Sequence, residues 1–200
     1  MTPTAAPLPF KAMTAFRRLT AAEYQKLVDS GVLTDEDQVE LLEGYMVLKM
    51  PRNPPHDYAV DQVQEFFFRT VPPGWTARGQ TAVAFADSRP EPDLSVARGP
   101  RSAYRGRHPG PGELAMVLEV ADSSLERDRE DKGRIYAREA VPVYWVVNLV
   151  DRQIEIYTDP TGPGPAPCYR RRQDFPTGGV VPVVLDGTTV GTLAVDDVLP

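Results

Sequence analysis

A chain of 200 residues that is 42% apolar has the material for a sizeable buried core, and none of its apolar runs reaches the roughly 18 residues that a bilayer span requires. The formal net charge of -6 and pI near 5.0 argue against a protein that coats nucleic acid nonspecifically, because such binding depends on lysine and arginine neutralising phosphates. Cys168 is the single cysteine, which rules out an intrachain disulfide and a cysteine-built zinc site and points to a reducing, cytoplasmic setting without membrane attachment.

Residues 1–12 are rich in proline and small residues and read as a disordered leader, followed by one domain over 13–200. Thr20-Ala21-Ala22-Glu23 is a capping box, so a short helix is predicted up to about Ser30, where Gly31 ends it. Val39 to Met50 is apolar on both faces around Gly44 and predicts a strand or a strand with a turn, which Pro51-Arg52-Asn53-Pro54-Pro55 breaks. From His56 the apolar residues Ala59, Val60, Val63, Phe66 and Phe67 fall at helical spacing until Val71-Pro72-Pro73-Gly74. Strands are predicted at Trp75–Phe85 and Asp93–Ala97, the second directly after Pro92.

The loop 98–112 carries Arg98, Arg101, Arg105, Arg107 and His108 with no acid among them, and it is long enough to be functional or disordered. Because it follows Asp93 so closely, it is expected at the mouth of any site built on that residue. Next come a strand over Leu114–Ala121, a second capping box at Ser123-Ser124-Leu125-Glu126, and a helix from about Ser124 to Glu139. The almost wholly apolar Val141-Pro142-Val143-Tyr144-Trp145-Val146-Val147 predicts a central strand. Asp151-Arg152 turns it into Gln153–Tyr157, residues 159–167 read as a surface loop, and Arg170-Arg171-Arg172 as a solvated cluster. Asp186-Gly187 marks a hairpin near the carboxyl end.

One residue breaks the pattern of its element. Glu119 sits inside Ala115-Met116-Val117-Leu118-Glu119-Val120, where an ionised carboxylate costs several kcal/mol unless a cation or hydrogen bonds compensate it. Strand alternation puts Val117, Glu119 and Ala121 on one face. In the following helix Leu125, Asp128, Lys132, Ile135 and Tyr136 form one seam, which brings Lys132 within possible reach of Glu119. Read alone, Asp93 is a turn residue after a proline, and Asp128 with Lys132 is an exposed i,i+4 pair worth about 0.3–0.5 kcal/mol. Read together with Glu119, they form a candidate site.

The order Pro92-Asp93, Glu119-Val120, Ser123, Asp128, Lys132, Tyr136, Val141-Pro142, Tyr144-Trp145 and Val147 resembles the Uma-two family of putative restriction endonucleases, within the PD-(D/E)XK nuclease superfamily. Glu40-Leu41-Leu42-Glu43-Gly44 is similar to that family's early Glu-Leu…Gly element, and His56 to the histidine opening its next helix; the resemblance spans roughly positions 20–158. It implies an α/β fold with a restriction-endonuclease-like core, a central mixed sheet flanked by helices. It also implies a Mg²⁺-dependent (or Mn²⁺-dependent) endonuclease acting on DNA, with one or two ions held by Asp93 and Glu119; the Val120 carbonyl is a further candidate ligand, and Glu40 a candidate ligand of a second ion. The superfamily lysine stands two residues after the second carboxylate, where this chain has Ala121; in the Uma-two family it is displaced onto the next helix, and Lys132 matches that position.

Magnesium prefers oxygen ligands and retains waters, so two carboxylates and a carbonyl suffice to hold it, and a nearby lysine stabilises charge on phosphate. Arg101, Arg105 and Arg107 are candidate substrate contacts. His56 is either a phosphate contact or the cap of its helix. A homodimer would suit cutting both strands of a duplex. Two other readings stay open: a nuclease-fold protein that binds nucleic acid or a protein partner without cleaving, and a structural domain in which a cation simply neutralises Glu119.

Overall fold

A computed structural model of the chain describes residues 17–200, so the predicted leader at 1–12 lies outside the described residues. The capping box forms as read: Thr20 Oγ1 accepts from the Glu23 N–H, Glu23 accepts from the Thr20 N–H, and helix α1 (Ala21–Asp29) follows. The apolar segment around Gly44 is an antiparallel hairpin of β1 (Val39–Leu42) and β2 (Tyr45–Leu48). Helix α2 (Pro54–Thr70) starts two residues earlier than its apolar stripe predicts. Asn53 caps it by accepting from the His56 N–H, and Pro54 fills the first position, where a missing N–H costs nothing.

The centre is a six-stranded sheet in the order β3 (Trp75–Gly79), β4 (Leu94–Arg98), β5 (Leu114–Ala121), β6 (Val143–Asn148), β7 (Gln153–Pro160) and β8 (Tyr169–Pro176). β5 and β6 are parallel and every other neighbouring pair is antiparallel, so the sheet is mixed. This is the α/β architecture, a central mixed sheet flanked by helices, that the sequence predicts.

Alternation along β5 separates two apolar layers. Met116, Leu118 and Val120 face α2 and a second hairpin, β9 (Val180–Leu185) with β10 (Thr188–Ala194), in a core that includes Phe67 and Trp145. Val117 and Ala121 face the other way, against Ile135, Tyr136 and Tyr144. The turn of the second hairpin puts Asp186 and Gly187 in the left-handed region, as a tight hairpin turn requires. A glycine at the β10 bulge lets this hairpin close on α2: a Cβ on Gly191 would lie 2.6 Å from Thr70 Cγ2.

Three expectations are corrected. The strand predicted over Trp75–Phe85 stops at Gly79, which pairs with Leu94, the first residue of β4; beyond it no partner strand continues. The triple arginine is not a solvated loop but part of the edge strand β8, where charge protects an open sheet edge. The loop 98–112 is folded down by a 3-10 turn at Arg101–Tyr104, whose buried Tyr104 donates to the Arg98 carbonyl.

Candidate active site

β4 and β5 run antiparallel with Leu94 opposite Leu118, so Asp93, just before β4, falls beside Glu119 and Val120. The Val120 N–H donates to Asp93 Oδ2 at 2.9 Å, and Gln64 of α2 donates to the Asp93 carbonyl at 3.1 Å. Asp93 is therefore fixed through both side chain and backbone. His56, in the first turn of α2, brings Nε2 to 3.7 Å from Asp93 Oδ2; its backbone is capped by Asn53, so the ring is not the helix cap.

The helix after β5 is interrupted. Leu125–Arg127 (α3) and Gly133–Arg138 (α4) are joined by a π-helical turn at Asp128–Lys132. The Gly133 N–H donates five residues back to the Asp128 carbonyl, and Tyr144 on β6 donates to that same oxygen at 2.9 Å. The predicted second capping box does not form. The helix begins one residue later than the box requires, with Ser124 at its N-cap, and the Ser124 hydroxyl donates to Asp128 Oδ2, one turn into the helix. The wide turn keeps Asp128 and Lys132 on the sheet side together with Ile135 and Tyr136, and both charged residues are buried rather than solvated.

Lys132 Nζ lies 3.0 Å from Glu119 Oε1, 3.6 Å from Glu40 Oε1 and 3.7 Å from Asp128 Oδ1. Tyr136 donates to Glu119 Oε1 at 2.7 Å. Glu40, on β1, also accepts from the Glu91 N–H at 3.3 Å. Three buried carboxyls, Glu40, Glu119 and Asp128, thus lie within 4 Å of one buried ammonium, and a fourth, Asp93, lines the same cavity. Burial raises the Glu119 pKa well above the usual carboxylate value, opposed by Lys132 and reinforced by the other carboxylates. Burial likewise raises Asp128. For Lys132, burial favours the neutral amine, but Glu119, Glu40 and Asp128 outweigh it, so the ammonium is held more firmly than an ordinary lysine's.

These side chains line a cavity of about 70 Å³ together with Val120, His56 and Ser124. Among the described residues no three His, Cys, Asp or Glu side chains form a ready-made metal cage. The donor set nevertheless suits a hard cation that keeps its waters. Both donors to Glu119 fall on Oε1 and the donor to Asp93 falls on Oδ2, which leaves Glu119 Oε2 and Asp93 Oδ1 without a hydrogen-bond donor among the described residues. The excess of carboxyls over ammonium also favours a divalent ion.

Asp93, Glu119, Val120, Lys132, Glu40 and His56 are brought to this one cavity. Arg101, Arg105 and Arg107 are not. Their loop leaves the far end of β4 from Asp93, and Glu113 holds Arg107 through hydrogen bonds of 2.7 and 2.6 Å. The expectation that the loop forms the mouth of the site therefore fails, because closeness in sequence to Asp93 is cancelled by the length of the strand between them. The arginines that do line the cavity, Arg52 and Arg127, were not singled out by sequence reasoning, nor was Lys49, which pairs with Glu91 at 2.8 Å. Arg52 lies in the proline-rich breaker and Arg127 in a charge-dense helix, where neither stands out.

The family model described as Uma2, putative restriction endonuclease, matches residues 21–193 of the chain. Among solved structures, the crystal structure of a putative nuclease belonging to DUF820 from Anabaena variabilis ATCC 29413 is similar, with a TM-score of 0.66 and 16% sequence identity over 90% of this chain and 97% of that one. At that identity the likeness shows a shared fold. No curated protein matches the chain.

Proposed function

The chain belongs to the Uma2 family of putative restriction endonucleases, and on that premise we propose that it is a Mg²⁺- or Mn²⁺-dependent nuclease that hydrolyses phosphodiester bonds of DNA. The observation that carries this reading is the meeting of Asp93, Glu119 and Lys132 at one cavity, from a strand start, a strand interior and a π turn. Asp93 Oδ1, Glu119 Oε2 and the Val120 carbonyl would hold the ion, with Glu40 as a further acceptor. Bound there, the ion supplies positive charge to the attacking and leaving oxygens.

The protein's own groups do the rest. Lys132 remains protonated at neutral pH, since the surrounding carboxyls raise its pKa, so it acts as a fixed cation that orients water and stabilises charge on the phosphate. It is not the proton acceptor. Tyr136 and Asp128 are positioning residues, the first holding Glu119 Oε1 and the second facing the ammonium. His56, Arg52 and Arg127 are placed to contact phosphate at the cavity rim. Two copies of the chain would cut both strands of a duplex, and the cytoplasm is the setting that the reading implies.

The alternative, a nuclease-fold protein that binds nucleic acid or a partner without cleaving, draws support from Lys132 already neutralising Glu119 at 3.0 Å. Supercoiled plasmid incubated with purified protein in Mg²⁺, Mn²⁺ or EDTA separates the two. Nicked or linear product in either metal, absent in EDTA and absent with Glu119→Gln, is the expected result. Intact plasmid in both metals, or equal cleavage by the variant, overturns the nuclease reading.

A further inference from the structure

Beyond the cavity of Asp93 and Glu119, three hollows of about 310, 550 and 600 Å³ adjoin one another through shared lining residues. Lys49 and Glu91 line both the catalytic cavity and the first hollow. Arg89 and His108 line the first and second, and Arg78, Tyr104 and Arg105 the second and third. The hollows form a series of neighbours that leads away from the cavity, with the Lys49–Glu91 pair as the wall between the cavity and the first of them.

Its charge stands against that of the whole chain. Although the net charge is -6, Arg78, Arg89, Arg101 and Arg105 along this series have no carboxylate partner among the described residues. Arg89 donates only to the neutral Gln25 amide, and Arg78 lies over the Tyr104 ring. Arg107 is neutralised by Glu113; the acids that line the hollows are Asp29, Asp35 and Glu91, and Glu91 is paired with Lys49.

The second observation concerns hydrogen bonds. Seven buried side-chain nitrogen or oxygen atoms lack a partner among the described residues, and four of them belong here: Arg78 Nε, Arg89 Nε, Thr81 Oγ1 and His108 Nδ1. Two of the four, the Arg78 and Arg89 Nε–H groups, can only donate, and a buried donor left unmade costs about 1–3 kcal/mol, so this pair calls for an acceptor. Phosphate oxygens meet both needs, since they accept from guanidinium and hydroxyl groups and neutralise the unpaired cations.

We propose that this run of hollows carries the phosphate backbone of the nucleic-acid substrate away from the scissile bond, with Arg78, Arg89, Arg101 and Arg105 as phosphate contacts and Thr81 and His108 as hydrogen-bonding partners. It rests on the nuclease reading for the identity of the polymer. A strand is favoured over a small phosphate because the basic groups are spread along three neighbouring hollows, the first of which shares a wall with the catalytic cavity. This also gives Arg101 and Arg105 a role at a distance from the reaction.

The test measures binding of fluorescein-labelled DNA, as single strand and as duplex of about 16 nucleotides, in EDTA over a range of salt. Arg101 and Arg105 are exposed, so the double variant Arg101→Ala with Arg105→Ala puts no buried contact at risk; Arg78→Gln with Arg89→Gln probes the half-buried pair. Each pair of changes should weaken binding and reduce the slope of log K against log salt by about 0.7–0.9 per arginine. Affinities and slopes equal to wild type for both double variants, or no measurable binding by wild type at low salt, overturn the proposal. If the slopes fall but plasmid is never cut, the nuclease reading fails and the hollows stand as a nucleic-acid site. If plasmid is cut and the slopes do not change, the opposite holds.

Discussion

At the scale of single residues, the site is a crowd of acids around one base, and its pH behaviour follows from that. Glu119 and Asp128 have pKa values raised by burial, so the folded state binds more protons than the unfolded one above their ordinary values of 4.5 and 3.8. Their contribution to stability is therefore lost as pH rises from the ordinary carboxylate range through the raised values. Thermal melting of the metal-free protein should show a higher Tm near pH 5 than near pH 8, and Glu119→Gln should flatten that slope. Divalent metal should reverse it, because the ion displaces those protons and binds only the folded site. A Tm that rises with pH in EDTA, or that ignores millimolar Mg²⁺ and Mn²⁺, contradicts this. Glu119 was legible in the sequence because a carboxylate in an apolar strand violates its surroundings. Tyr136 carried no such signal: its hydroxyl finds Glu119 only after seventeen residues of chain fold back on themselves, and an aromatic at helical spacing reads simply as core.

At the scale of elements, the π turn decides where Lys132 points. Tyr144 supplies a donor to the Asp128 carbonyl at its start, so Tyr144→Phe should cost about 1–2 kcal/mol by leaving that buried carbonyl with the Gly133 N–H alone, and should slow cleavage with little change in DNA affinity. Urea melts paired with cleavage rates check both parts. Gly133 needs no glycine, because an added Cβ would meet the Asp128 carbonyl oxygen at 3.5 Å and Tyr144 Cε1 at 3.7 Å, ordinary contacts. Gly133→Ala should stabilise the helix by about 0.5–1 kcal/mol, read as a higher urea midpoint. Local chemistry explains which elements could be read ahead. The Thr20 capping box is complete within four residues and formed as written, whereas the helix after β5 starts at Ser124 rather than Ser123, which takes the Ser123–Glu126 pattern out of register. β8 went unread because Tyr169 to Pro176 has the charge of a loop; it becomes a strand by pairing with β7, where Arg172 reaches the buried Glu155 at 3.2 Å.

At the scale of the molecule, both apolar layers are built on one sheet, and we propose that residues 17–200 unfold as a single domain. Calorimetry should give one transition whose calorimetric and van't Hoff enthalpies agree; two resolved transitions contradict this. Acid should end that stability through Glu155, whose pKa is lowered to about 2: burial alone would raise it, but Arg129, Tyr157, Asn148 and Gln153 hold the charged form. Its contribution, about 2 kcal/mol after allowance for screening, is present above its ordinary value of 4.5 and lost as pH falls toward 2. Glu155→Gln should remove this acid-side loss. Strand alternation and helical spacing made the layers and the Glu119 face legible from sequence, but the far end to which β4 carries the arginine loop was not, since that depends on how β4 pairs with β5. We propose that Lys132, reaching in from the helix, takes the role that a lysine two residues after Glu119 would otherwise fill. Single-turnover cleavage of a labelled duplex in Mn²⁺ by wild type and Lys132→Met tests it most directly. The variant should cleave about 10²-fold or more slowly with DNA affinity nearly unchanged; a variant that folds and cleaves as fast as wild type would show that Lys132 has no such role.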